Sequence, residues 1–162
     1  LRLDSKSTRE SFVDGWFRTG DCAQVDEQGV YTIIGQIKDK FKTSKGKYVA
    51  PVPIESLLCS NTDIEQVCVV GAGLKQPVAL IVLKQQVAQQ NNEVETRLLR
   101  TLQWVNNQLE SHQKLDYMFI CNETWTIDNN LMTPTLKIKR NVIEKKYAEL
   151  VGKGLKGDVI WQ

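Results

Sequence analysis

The sequence has 162 residues with 21 basic and 19 acidic side chains, a formal net charge of +2 at pH 7, and that near balance removes the electrostatic case for a general nucleic-acid binder. Hydrophobic residues make up 41% and charged residues 25%, the balance of a globular chain that buries a core, and so argue against disorder. Apolar runs such as Val78 to Leu83 are far shorter than the roughly 20 residues that cross a bilayer, which excludes a membrane-spanning helix.

The length suits one ordinary domain, or a small domain with a piece of another, and is a tight fit for a complete multi-substrate enzyme. The sequence starts at Leu1 with no signal-like segment before the first motif, so the expectation is a truncated chain. Cys22, Cys59, Cys68 and Cys121 form no C-x-x-C pair and the one histidine is His112, so no metal site is expected. Free thiols in a reducing cytosol follow. A cytoplasmic location is expected, with peripheral attachment to a membrane left open.

In chain order, Gly15 to Ile34 reads as a hairpin with its turn at Asp26-Glu27-Gln28-Gly29, a strand over Val30 to Ile34, and Gly35 as its end. The charged segment Lys38 to Lys42, then Gly46, Pro51 and Pro53, marks a composition shift and a boundary. A short helix is expected over Ile54 to Cys59, where Glu55 suits the positive end of the helix dipole. Glu65 to Gly71 and Val78 to Leu83 read as neighbouring strands. Val94, Leu98, Leu102, Val105 and Leu109 recur at helical spacing within Glu93 to Glu110, a stripe fit to cover a sheet. Tyr117 to Cys121 reads as a strand, a polar loop with Asn129 and Asn130 follows, and Val142, Ile143, Tyr147, Leu150 and Val151 mark a last helix. The tail through Asp158 to Gln162 is either a short strand or a segment that docks on another domain. The sum is a compact α+β fold: a central sheet flanked by helices, preceded by a β-hairpin.

Three separated segments carry the chemistry: Gly15-Trp16-Phe17-Arg18-Thr19-Gly20-Asp21; Gly35-Gln36-Ile37-Lys38-Asp39 running into Lys45-Gly46-Lys47-Tyr48-Val49-Ala50-Pro51; and Thr133-Pro134-Thr135-Leu136-Lys137-Ile138-Lys139-Arg140. In this order they resemble the adenylate-forming superfamily, which includes acyl-CoA synthetases, firefly luciferase and nonribosomal peptide adenylation domains. The likeness runs from about residue 10 to residue 150. Thr-Leu before the lysine, where many relatives have Ser-Gly, is most similar to the long-chain fatty acyl-CoA synthetase branch.

The resemblance implies that residues 1–37 end a large N-terminal domain and that 38–162 form a mobile C-terminal lid. It implies that Asp21 grips the ribose hydroxyls of ATP, a task for which an ionised carboxylate has two acceptor oxygens. Alone, Asp21 reads as a turn aspartate. Gln36 stands where relatives usually have arginine; it keeps hydrogen-bonding capacity without the charge, and Lys42 is the candidate for the missing positive field. Lys38 matches the hinge, and Gly46 the loop that shapes the channel for the CoA arm, where a missing side chain permits close backbone approach. Lys137 matches the adenylation lysine, whose compact ammonium follows charge building on the acyl carboxylate and the α-phosphate. Lys139 and Arg140 read as supporting charges.

ATP, Mg2+ and CoA are the cofactors and substrates implied for a full-length fatty acid–CoA ligase, and the missing N-terminal domain is the implied partner. The phosphate loop, adenine pocket and acyl tunnel have no match here, so the fragment alone is expected to be inactive. Two alternatives stand beside this reading. The acyl-adenylate passes to a carrier-protein thiol, or the chain is an independent module using Lys137 to Arg140 and Lys145-Lys146 on an anionic partner; Glu144 and Glu149 among those lysines argue for a solvated helix face instead.

Overall fold

The structure, a computed structural model, describes residues 5–87, 92–152 and 156–162. Helix α1 (Ser5–Ser11) leads into strands β1 (Phe12–Val13) and β2 (Trp16–Phe17), which pair antiparallel across a turn where Asp14 and Gly15 have φ of 51° and 82°. Strands β3 (Asp21–Val25) and β4 (Tyr31–Gln36) form a second antiparallel hairpin. Its turn is held by Asp26, whose Oδ1 accepts the N–H groups of Gln28 and Val30 at 2.9 Å each. The single hairpin expected over Gly15 to Ile34 is therefore two, because Asp14-Gly15 makes a tight turn that folds Trp16 and Phe17 back onto β1. Gly35 does not end the strand. It lies inside β4 at φ 136°, where a side chain would press on Val52 Cγ2 at 3.2 Å.

One turn of 3-10 helix (Ile37–Asp39) connects to a small hairpin of β5 (Phe41–Lys42) and β6 (Tyr48–Val49), a pairing that the charged composition of this segment does not announce. Helix α2 (Pro51–Leu58) starts three residues before the expected Ile54, since Pro51 fills the first helical position, where its missing N–H has no intrahelical role. Then come β7 (Ile64–Val70), β8 (Val78–Leu83), α3 (Asn92–Asn107), β9 (Met118–Cys121), α4 (Arg140–Val151) and β10 (Val159–Trp161). α3 stops short of the expected Glu110. There Asn106 turns the chain, its Oδ1 accepting from Leu115 N at 2.8 Å and its Nδ2 donating to Leu115 O at 3.0 Å.

Among the described residues the central sheet has the order β10-β9-β8-β7, with β8, β9 and β10 parallel and β7 antiparallel. The tail is thus a strand: Ile160 lies opposite Phe119. Parts of the Gln/Asn patch (88–91) and of the glycine-lysine run (153–155) lie outside the described residues.

Both faces of the sheet are covered, which explains why β8 is apolar at every position. Ala79, Ile81 and Leu83 point to a layer completed by Ile54 and Leu58 of α2 and by Val94, Leu98, Leu102 and Val105 of α3. Val78, Leu80 and Val82 point the other way, onto Trp125, Leu131 and the α4 residues Ile143, Tyr147 and Val151. The stripe read from the sequence does cover the sheet, and the mixed α+β class holds. Burial pushes the thiols of Cys68 and Cys121 up to about 12, so both stay protonated and behave as core residues. No helix among the described residues is long and apolar enough to cross a membrane.

Gly71 joins this sheet to the 41–49 hairpin by close approach. A Cβ there would stand 2.6 Å from Phe41 Cε2 and 3.1 Å from Pro77 Cα. Gly71→Ala should lower stability by about 1–3 kcal/mol through overpacking, measured by urea denaturation; unchanged stability would show that Phe41 moves aside freely.

Candidate functional site

β3 and β4 place Asp21 and Gln36 directly opposite each other at the open end of their hairpin. Gln36 Nε2 donates to Asp21 Oδ1 at 3.2 Å, and Asp21 N donates to Thr19 Oγ1 at 3.1 Å. A cleft of about 770 Å³ opens there, lined by Phe17, Thr19, Gly20, Asp21, Gln36 and Lys38 among others. The carboxylate is exposed and its second oxygen faces no cation in an ion pair among the described residues. A diol entering the cleft meets the Asp21 carboxylate beside the Gln36 amide, with Arg18 and Lys38 also in the lining.

Lys137 sits on a hairpin of its own. Met132 and Ile138 form an antiparallel bridge, Thr133 N donates to Lys137 O at 2.8 Å, and Thr133 Oγ1 accepts from Lys137 N at 3.1 Å. Leu136 closes the turn at φ 59°, a left-handed conformation that costs a leucine roughly 1–2 kcal/mol. The Lys137 side chain is exposed, free to extend away from the fold.

Both arms of this hairpin are anchored. On the entry side, Gln66 of β7 exchanges two bonds with the Trp125 backbone, both at 2.8 Å, and Asn129 Oδ1 accepts from Thr126 N at 2.9 Å. On the exit side, Arg140 at the start of α4 reaches Glu55 of α2 with Nη1 on Oε1 at 2.5 Å and Nη2 on Oε2 at 3.0 Å. Arg140 Nη1 also donates to Val69 O at 2.9 Å, while Glu55 Oε1 accepts from Val69 N at 2.7 Å. Both side chains are only 12% exposed. Burial by itself would lower the pKa of Arg140, but its hydrogen bonds to Glu55 lead the opposing influences and leave it raised.

This network corrects one expectation and sharpens another. Glu55 does not serve the dipole of its own helix, and Arg140 supports the Lys137 hairpin as a part-buried anchor. With Lys139 bonded to Asn130 and Lys146 paired with Glu123, the basic run is broken up by local partners. That argues against an independent anionic-partner module. Sequence reasoning missed the tie because its members lie 85 positions apart; an acid inside a short helix with no basic residue in that helix is the only local hint.

A second cleft, about 620 Å³, brings Gln36 and Lys38 together with Leu136, Lys137 and Arg140. Asp21, Gln36, Lys38 and Lys137 thus border two neighbouring clefts that share Gln36 and Lys38. Lys38 lies exposed in the single 3-10 turn joining β4 to β5, where few bonds hold the chain. Lys42 and Gly46 are elsewhere. Gly46 turns the β5–β6 hairpin at φ 79°, and Lys42 lies over the Tyr48 ring, its Nζ 5.7 Å from the centroid. Lys42 lines neither cleft. No group of three or more His, Cys, Asp or Glu among the described residues is arranged to hold a metal ion.

Residues 38–155 match the family model of the AMP-binding enzyme C-terminal domain. The chain is 30% identical to long-chain-fatty-acid–CoA ligase FadD15 of Mycobacterium tuberculosis, over 90% of this chain and 27% of that protein. It is 31% identical to the chloroplastic long-chain-fatty-acid–[acyl-carrier-protein] ligase AEE15 of Arabidopsis thaliana, over 83% of this chain and 20% of that one. Among solved structures, the adenylation domain of a carboxylate reductase from Mycobacterium chelonae shares the fold with a TM-score of 0.78 at 18% identity, over 93% of this chain and 25% of that chain. The chain spans about a quarter of the length of the curated relatives it matches.

The anchor has a measurable consequence. Arg140→Met leaves Glu55 charged and buried, and should cost about 3–5 kcal/mol in urea denaturation, with much of it regained when Glu55→Met is added. A loss below about 1 kcal/mol, the range of exposed pairs, would show that the tie contributes little.

Proposed function

The chain belongs to the AMP-binding enzyme C-terminal domain family, and from that premise we propose that it is the C-terminal part of an AMP-forming ligase that activates a fatty acid, long-chain by its relatives, and transfers it to CoA. The single observation that carries the reading is the hairpin that presents Lys137. It is bonded at both ends to the core, yet leaves the ammonium free at the mouth of a cleft shared with the Lys38 turn.

In the first half-reaction a carboxylate oxygen of the acid bonds to the α-phosphorus of ATP, and the bond to pyrophosphate breaks. Negative charge gathers on the atoms between the two groups. Lys137 supplies three N–H donors there, on a backbone that does not need to reorganise. Asp21 accepts hydrogen bonds from the ribose hydroxyls, with Gln36 steadying the carboxylate from its other side. In the second half-reaction a thiolate attacks the acyl carbonyl and AMP leaves. Lys38 is the turn about which residues 38–162 reorient between the two steps, and the Gly46 turn then approaches the incoming thiol's arm. Two features support dividing the chain at residue 38: the family match starts there, and the hairpins before it expose Trp16, Phe17, Tyr31 and Ile33, Trp16 by 80%, a surface suited to the cover of a larger domain.

The relative that loads an acyl-carrier protein supports a second acceptor, a carrier-bound phosphopantetheine thiol. Supplying CoA and a carrier separately to the full-length protein distinguishes the two.

In the full-length protein, Lys137→Ala should reduce pyrophosphate release from ATP and fatty acid by about a hundredfold or more, the scale of losing one preorganised charge donor, while thioester formation from preformed acyl-adenylate persists. Undiminished pyrophosphate release would remove Lys137 from the first step.

A further inference from the structure

Leu136 occupies a conformation that a branched side chain rarely adopts, and gains nothing from it within this fold. At φ 59° it closes the turn beside Lys137, and its side chain remains 68% exposed. Glycine would relax the backbone, and asparagine tolerates the left-handed region. The Thr133–Lys137 bonds close the turn, but the leucine side chain itself is neither buried nor relaxed there. Strain of this kind at the edge of a reactive cleft points to a contact made only when something fills the cleft.

The lining narrows what that is. Leu136 joins Val67, Met132 and Ile138 as apolar members of the cleft that also holds Lys38 and Lys137. Its charged members are of both signs, Asp39, Glu55 and Glu65 beside Lys38, Lys137 and Arg140, with Glu55 paired to Arg140. Leu136 and Lys137 are neighbours in the chain and line the same cleft.

We propose that Leu136 is a specificity-determining residue: it packs against the methylenes next to the reacting carboxylate and disfavours acids that carry a polar group there. A hydroxyl at that carbon would lose water against an apolar surface without gaining a partner. The inference rests on Lys137 acting in acid activation, and it goes beyond that reading by naming the feature of the acid that this chain selects.

The test compares kcat/KM for pyrophosphate release by the full-length protein with palmitate and with 2-hydroxypalmitate. Leu136→Gly should reduce the preference for palmitate about tenfold, the scale of losing one apolar contact. Leu136→Asn should reduce it as far or further. Leu136→Met should keep it within about twofold, since it conserves apolar volume. An unchanged preference in the glycine and asparagine variants, or an equal loss on both acids, would overturn the assignment. Lys137→Ala run beside them separates the two claims: if it stays fully active the parent reading fails, whereas an inactive Lys137→Ala with an unaltered preference in Leu136→Gly removes only the role of the leucine. Thermal melts of each variant confirm that the compared proteins are folded.

Discussion

Everything that presents Lys137 depends on one buried charge pair. Glu55 lies in α2 on one side of the sheet, Arg140 opens α4 on the other, and the Val69 peptide between them is bonded by both, through its N–H and its C=O. The sheet is thereby stapled across its β7 edge at the point where the chain leaves the lysine hairpin. Charges shielded from solvent are costly when unpaired and near neutral when well bonded, and here Arg140 Nε lacks a partner among the described residues, so the pair specifies where α4 begins more than it adds to net stability. The loop from Asn122 to Ile138 then has little freedom, since Gln66 and Asn129 fix its earlier half.

Against that rigid frame, the two residues at the tip stand out. Lys137 is exposed, and Leu136 is exposed and strained. The fold bonds Gln66 and Arg140 to partners far away in sequence, yet this one turn keeps its left-handed leucine. The conformation is maintained by the Thr133–Lys137 bonds, which set the direction of the lysine and oblige Leu136 to accept a left-handed φ. Local consistency is broken at the place where chemistry is proposed, as is common at functional sites.

Much of the fold was legible from period and composition. The α3 stripe, the apolar β7 and β8 runs and the α4 pattern all reflect burial on known faces, which sequence periodicity reports directly. Hairpin pairing was less so: whether Trp16 and Phe17 pair forwards or backwards depends on a two-residue turn, not on propensity. The candidate site divides the same way. Asp21, Gln36, Lys38 and Lys137 are recognisable by motif, and the structure brings them around adjoining clefts. The placement of Lys42 beside Tyr48 follows from the β5–β6 pairing, which the charged composition of that segment hides, whereas the partnership of Glu55 with Arg140 arises from a tertiary contact that no local pattern encodes.

The central claim is that Lys137 and Asp21 hold opposite ends of one acyl-adenylate. The most direct measurement is a crystal structure of the full-length protein with a non-hydrolysable acyl-adenylate analogue. The account predicts Asp21 oxygens on both ribose hydroxyls and Lys137 Nζ within about 3.2 Å of an oxygen at the acyl–phosphoryl junction. An analogue seated with its ribose on other residues, in crystals where both lid orientations leave Lys137 in solvent, would contradict it.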